Sequence, residues 1–123
     1  KFPNLFTITG PGSPSVLSNM ICSIEQHVDF IFDTIKYMDK RRLARIECTE
    51  VAQSKWSAEV NQRAAHTMLT AASCASWYLG SNIPGKPRTF MIYLGVGDFR
   101  KRCDDIVKND YEGFVFRSSY SKL

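Results

Sequence analysis

No Gly-x-Gly-x-x-Gly occurs in the 123 residues of this chain. The strand–turn–helix fingerprint that cradles a dinucleotide is therefore absent. Cys22, Cys48, Cys74 and Cys103 stand far apart, with no Cys-x-x-Cys and no Cys/His ligand spacing. That excludes a zinc site, and all four read as reduced thiols of an intracellular protein. No apolar run approaches transmembrane length, and no leader pattern opens the chain. His27 and His66 lack a carboxylate or nucleophile at a telling spacing, so both read as helix-face residues and no catalytic residue is assigned. The net charge of +4 comes with basic clusters at Lys40, Arg41, Arg42 and Arg45 and at Arg100, Lys101 and Arg102. Without interleaved aromatics these read as solvated faces, not as a nucleic-acid surface.

What remains is 44% hydrophobic and 23% charged, as in an ordinary globular domain. The chain opens without Met on a strand-like stretch, which reads as a piece of a longer protein or as a processed terminus. Leu5-Phe6-Thr7-Ile8-Thr9 predicts a short strand, ended by Gly10-Pro11-Gly12-Ser13-Pro14-Ser15. Ile21, Ile24, Val28, Ile31, Ile35 and Met38 recur at spacings of three and four, which predicts a helix over about 19–40 with these residues on one face. Ser18 or Asn19 supplies its cap, and Cys22 falls on an apolar face. Residues 46–48 read as an extended connector. Thr49 then caps a second helix over about 50–69, with Ala52, Trp56, Val60, Ala64 and Met68 on one stripe. A loop over about 71–88 follows. The terminal unit, 89–117, reads as strand, helix and strand: Arg88–Tyr93, then Phe99, Cys103 and Ile106 on one helix face, then Phe114–Phe116. The fold class is α/β, with three helices, a few short strands and a long loop.

Two segments carry chemistry. Ser76-Trp77-Tyr78-Leu79-Gly80-Ser81-Asn82-Ile83-Pro84-Gly85-Lys86-Pro87-Arg88 holds two prolines, two glycines, one indole and two cations. Long irregular loops in compact domains serve as lids or binding loops, and Lys86 and Arg88 suit phosphate or carboxylate. The plainer reading is a surface loop whose Trp caps a core edge. The second segment is the turn from Gly10 to the first helix. Free N–H groups at a helix N-terminus favour anions or electron-rich carbonyls, and glycine permits close backbone approach. A tight strand-to-helix turn requires the same residues for structural reasons alone.

The Trp77–Arg88 run closely resembles the mobile control loop of Baeyer–Villiger monooxygenases, enzymes that use FAD and NADPH to insert oxygen beside a ketone. Phe2-Pro3-Asn4-Leu5-Phe6-Thr7-Ile8-Thr9-Gly10-Pro11-Gly12-Ser13-Pro14-Ser15-Val16-Leu17-Ser18-Asn19-Met20 resembles the C-terminal FAD-contacting segment of the same enzymes, most of all the phenylacetone monooxygenase type. Phe99–Asp104 and Tyr111–Phe114 match again. One departure is Tyr93-Leu94-Gly95-Val96, where the family has Tyr-x-Gly-Gly.

The resemblance implies that the chain is the C-terminal part of the FAD-binding domain of a two-dinucleotide-binding-domain flavoprotein. It places Gly10, Asn19 and Met20 against the flavin, Ser15, Val16 and Leu17 on a bulge at the ketone pocket, and Ile92 near that pocket. It also implies that Trp77 closes on the NADP ribose. The implied partners are a ketone and the upstream FAD and NADP domains of a monomeric parent, with no metal, membrane or nucleic acid. The family's active-site arginine lies upstream, so this chain alone is expected to be inactive and to hold no FAD tightly. The alternatives are a stand-alone α/β interaction module and a flavin monooxygenase acting on N or S atoms. Localisation reads as cytoplasmic, or peroxisomal if Ser121-Lys122-Leu123 is a genuine C-terminus in a eukaryote.

Overall fold

Helix α1 (Met20–Lys40) starts at Asn19, whose side chain accepts the N–H of Ile21 at 3.0 Å. Ser18, the other candidate cap, closes the preceding turn instead, with its hydroxyl donating to the Ser15 carbonyl at 2.8 Å. The computed structural model describes residues 2–15, 17–71 and 76–118. Val16, Cys74 and the Ser121-Lys122-Leu123 tripeptide lie outside the described residues.

After α1 the chain forms strand β1 (Leu43–Cys48), longer than the expected connector because strand β2 (Phe114–Ser118) lies antiparallel beside it, with Ile46 opposite Phe116. A two-stranded ribbon needs outside support. It comes from Tyr111, buried with its ring centroid 4.5 Å from that of Tyr37 and 5.7 Å from that of Phe116. Tyr111 holds φ 60°, a left-handed conformation that bulky residues adopt only when something offsets the strain. Burial of the ring among aromatics does so here.

Helix α2 (Glu50–Ala64) is capped by the Thr49 hydroxyl, which accepts the N–H of Ala52 at 3.1 Å. It stops short of the expected end near residue 69. The hydroxyls of Thr67 and Thr70 both donate to the Ala64 carbonyl, at 2.7 and 3.0 Å, and satisfy an acceptor that a longer helix would have used. Met68, expected on the α2 stripe, lies in a separate 3₁₀ turn (Met68–Thr70) and is 90% exposed. Trp56 is half-buried, and Val60 and Ala64 are buried as the stripe requires. They form the main core with Leu79, Phe90, Ile92 and Tyr93.

Helix α3 (Val96–Lys108) buries Cys103 and half-buries Phe99 and Ile106, as their spacing predicts. The departure from Tyr-x-Gly-Gly is accommodated. Gly95, at φ 106°, makes the left-handed entry, and Val96 is already the first helical residue, where any side chain fits.

Three expectations are corrected. Among the described residues Leu5–Thr9 forms no strand: it has no neighbouring strand to pair with, and Thr9 turns away at φ 53°. Residues 88–93 form no named strand either, and their one ladder contact is a parallel bridge between Ile92 and Ser13. The periodic face of α1 is packed only in part. Ile31 is half-buried and Met38 buried, but Ile21, Ile24, Val28 and Ile35 are exposed, whereas Ser23, Gln26, His27 and Thr34 are buried. Cys22 is likewise exposed. Cys22, Cys48 and Cys103 are free thiols. Among the described residues no helix is long and apolar enough to cross a membrane, and no group of His, Cys, Asp and Glu forms a metal cluster.

Candidate functional site

The turn from Gly10 to Ser15 is stitched to the segment that leaves the loop. The N–H of Gly12 donates to the Met91 carbonyl at 2.8 Å, and the N–H of Tyr93 donates to the Ser13 carbonyl at 3.1 Å. Within the turn the Ser13 hydroxyl donates to the Gly10 carbonyl at 2.6 Å. The two glycines make room for protein side chains. A Cβ at Gly10 would stand 2.4 Å from the Thr7 hydroxyl oxygen, and one at Gly12 would stand 2.8 Å from the Trp56 indole nitrogen.

Beyond the turn, Ser15 is half-buried and its carbonyl accepts from the N–H and the hydroxyl of Ser18. Leu17 (61% exposed), Asn19 and Met20 form an open surface at the N-terminus of α1. Ile92 is buried in the main core, so its side chain supports the turn from behind while its backbone bridges to Ser13. Val16, also expected here, lies outside the described residues.

The loop has a fixed neck and an open tip. Ser76 accepts the N–H of Tyr78, and a 3₁₀ turn (Trp77–Leu79) is closed by Gly80 at φ 69°, whose N–H donates to the Trp77 carbonyl at 2.9 Å. Leu79 is buried in the core, and the N–H of Thr89 donates to its carbonyl at 3.1 Å. Asn61 of α2 accepts the N–H of Phe90 at 2.8 Å. Residues 82–89 are all exposed between these anchors. The Lys86 side chain lies across Gly80, and Arg88 donates to the Ala71 carbonyl. Trp77 is 62% exposed, with its ring centroid 4.0 Å from that of Tyr78. Over the described residues 76–88 the segment is a 3₁₀ turn followed by turns, with the Trp77 indole exposed.

A charged cluster that the sequence reading passed over holds the turn in place. Trp56 donates its indole N–H to the Gly12 carbonyl at 3.0 Å and stacks on Tyr93 with centroids 4.9 Å apart and planes 3° from parallel. The Arg63 guanidinium lies over the Tyr93 ring, 4.6 Å from its centroid, and donates to Asp98 at 2.9 Å. Glu59 accepts from Arg102 and from the Tyr93 hydroxyl. Burial raises the affinity of Glu59 for a proton, but Arg102, Tyr93 and Arg63 together outweigh this and hold its carboxyl below the usual range. Burial pushes the Tyr93 phenol up. One signal was available in sequence: Trp56, Glu59 and Arg63 lie at spacings of three and four on α2, so they share a side.

His27 is not the passive helix-face residue its spacing suggested. It is buried, and its Nδ1 accepts the N–H of Thr9 at 3.0 Å. Burial depresses its basicity, which suits an acceptor nitrogen.

No family model matches the chain. Cyclohexanone 1,2-monooxygenase from Acinetobacter sp is 36% identical over 124 aligned residues, covering 100% of this chain and 22% of that protein. Phenazine N-monooxygenase PhzNO1 from Lysobacter antibioticus is 32% identical, covering 99% of this chain and 22% of that protein. Among solved structures, an oxidised steroid monooxygenase bound to NADP superposes with a TM-score of 0.84 at 41% identity, over 96% of this chain and 21% of that one. The chain therefore spans about one-fifth of the length of the curated relatives it matches.

Proposed function

The chain belongs to the Baeyer–Villiger monooxygenase family, and from that premise we propose that it forms the C-terminal part of the FAD-binding domain of a longer, cytoplasmic parent. The parent inserts one O2-derived oxygen next to a ketone carbonyl, using FAD and NADPH, and releases an ester or lactone. Bound FAD would supply the oxygen chemistry with electrons from NADPH, and this chain's residues would supply surfaces around it.

The observation that carries the reading is the pair of backbone hydrogen bonds joining Gly12 and Ser13 to Met91 and Tyr93. They make the turn before α1 and the segment that leaves the Trp77 loop parts of one body, so the base of the loop is fixed relative to the turn while its exposed tip is not. The residues fit the flavin in part. Leu17 and Met20 offer apolar surface beside the polar Asn19 at a helix N-terminus, a setting suited to a ring that is flat and carbonyl-bearing. Asn19, Met20 and the backbone of Gly10 are assigned to the flavin, the Ser15–Leu17 segment to the ketone, and Ile92 to the rear of that pocket. The sequence lacks the glycine fingerprint that would hold the cofactor's diphosphate, so the chain by itself retains no flavin.

Trp77 is assigned to NADP. Its exposed indole offers one N–H donor and an apolar face, at the neck of the loop that the Thr89-to-Leu79 hydrogen bond closes. Closing the loop excludes water and holds the nicotinamide cofactor while the ketone reacts.

The similarity to a phenazine N-monooxygenase supports a second reading, oxygen transfer to a ring nitrogen. Product analysis separates the two. The parent, given NADPH and O2, is expected to convert a cyclic ketone to its lactone. N-oxide from a phenazine with no lactone would favour the second reading, and NADPH oxidation without either product would remove both.

A further inference from the structure

Thr9, Gly10, Gly12 and Ser13 carry the backbone N–H groups of the turn before α1, since Pro11 and Pro14 have none. Most are spent inside the chain. Thr9 donates to Nδ1 of His27 at 3.0 Å, Gly12 to the Met91 carbonyl at 2.8 Å and Ser13 to the Gly10 carbonyl at 3.2 Å. The Gly10 carbonyl also accepts the Ser13 hydroxyl. The Gly10 N–H is left as the donor of this turn without a partner among the described residues, on a residue that is only half-buried.

Its placement is decided one residue earlier. Thr9 stands at φ 53°, a left-handed conformation that a β-branched residue keeps only under constraint. No ladder supplies the constraint, because residues 5–9 pair with no strand among the described residues. The His27 ring supplies it, from α1. A histidine is a poor choice for merely filling that space. It is 6% exposed, and with Nδ1 accepting, the proton of the neutral ring lies on Nε2. Nε2 is buried and has no hydrogen-bond partner among the described residues. An unmet buried donor destabilises the fold, and a leucine would bring none. The ring is also held in orientation. Phe99 meets it edge-on, with centroids 5.4 Å apart, and Phe99 meets Trp56 in the same way at 5.9 Å. Trp56 takes the Gly12 carbonyl, so two side chains that share one aromatic neighbour grip the turn at both ends.

We infer that His27 is a positioning residue of the flavin-side turn: by accepting the Thr9 N–H it holds Thr9 left-handed and fixes where the unspent Gly10 N–H stands for an acceptor atom of the flavin ring. This rests on the reading that assigns Gly10 to the flavin. A flat heterocycle with carbonyl oxygens presents its acceptors at the ring edge, and a backbone N–H without a Cβ beside it approaches such an edge closely. His27 is itself buried and acts through Thr9 and Gly10.

Two variants of the FAD-loaded parent test this. His27→Leu keeps the bulk and has no acceptor. His27→Asn places its side-chain oxygen as far along the side chain as Nδ1. Three quantities are read: hydrogen exchange of the Thr9 amide by mass spectrometry, the visible absorption spectrum of the bound flavin, and the ratio of ester formed to NADPH oxidised. His27→Leu is expected to speed exchange at Thr9 at least about tenfold, to shift the flavin bands, and to lower the ratio about tenfold through a misplaced contact at the reacting ring. His27→Asn is expected to stay near the unsubstituted parent on all three. Equal behaviour of the two variants would overturn the inference. Faster Thr9 exchange in His27→Leu with an unchanged spectrum and ratio would also overturn it, by making the contact structural only. If His27→Leu does not accumulate as folded protein, His27→Gln, whose oxygen lies farther along the side chain, takes its place under the same criteria. A parent that holds FAD and forms lactone, with His27→Leu matching it, defeats the inference alone. In a parent that holds FAD but forms no lactone, the functional reading fails and the spectral contrast between the variants still decides the inference. A parent that binds no FAD defeats both.

Discussion

Trp56 donates its indole N–H to the carbonyl oxygen of Gly12 at 3.0 Å, and the same indole nitrogen would lie 2.8 Å from any Cβ placed on Gly12. The contact couples the middle of α2 to the turn that precedes α1. Gly12 is held at φ 80°, so both its conformation and its lack of a side chain are required. Gly12→Ala is expected to destabilise the chain by about 1–3 kcal/mol through left-handed strain and displacement of the indole. Trp56→Phe keeps an aromatic over Tyr93 but leaves the carbonyl without its donor, at a cost of about 1–2 kcal/mol. Thermal unfolding of each variant beside the parent sequence checks both, and an unchanged midpoint for Gly12→Ala would contradict the packing described.

His27 makes the chain acid-sensitive. Burial lowers its pKa below the ordinary 6.5, so the neutral ring is the folded form and protonation favours the unfolded chain. The stability tied to this imidazole is complete above pH 6.5 and is lost as pH falls through the lower folded value. Titrating the His27 ring protons by NMR should give a midpoint below the ordinary 6.5. His27→Gln should flatten the loss of stability across the same window.

Glu59 acts in a lower window. Burial raises its pKa, but Arg102, Tyr93 and Arg63 together bring it below 4.5. Its contribution is complete above 4.5 and is lost as pH falls through the folded value. Glu59→Gln is expected to lower stability at neutral pH and to reduce the change in unfolding midpoint below pH 4.5, measured by denaturant titration at several pH values.

The elements that a local pattern dictates were legible in sequence. Asn19 and Thr49 as caps, the α1 span, the Val60–Ala64 stripe and the irregular Trp77 loop all follow from short-range chemistry. The failures share a cause, since each depends on partners far away in the chain. Leu5–Thr9 has strand composition but no adjacent strand, and Phe114 was needed to make Leu43–Cys48 a strand. The α1 periodicity correctly gave a helix and an apolar face but could not say what that face meets. The exposure of Trp77 was legible because indole, proline and glycine are an unusual combination in one loop. Trp56 was absorbed into a core stripe, and its bond to Gly12 spans 44 residues.

Trp77 is where the account is most exposed to measurement. The ratio of ester formed to NADPH oxidised is to be determined in the parent enzyme and in Trp77→Ala, with hydrogen peroxide measured alongside. If the loop closes on NADP and keeps water out, the variant will show a ratio about tenfold lower, in line with the loss of one positioning contact at a closing lid, and a matching rise in peroxide. An unchanged ratio, with no added peroxide, would contradict the lid assigned to this segment.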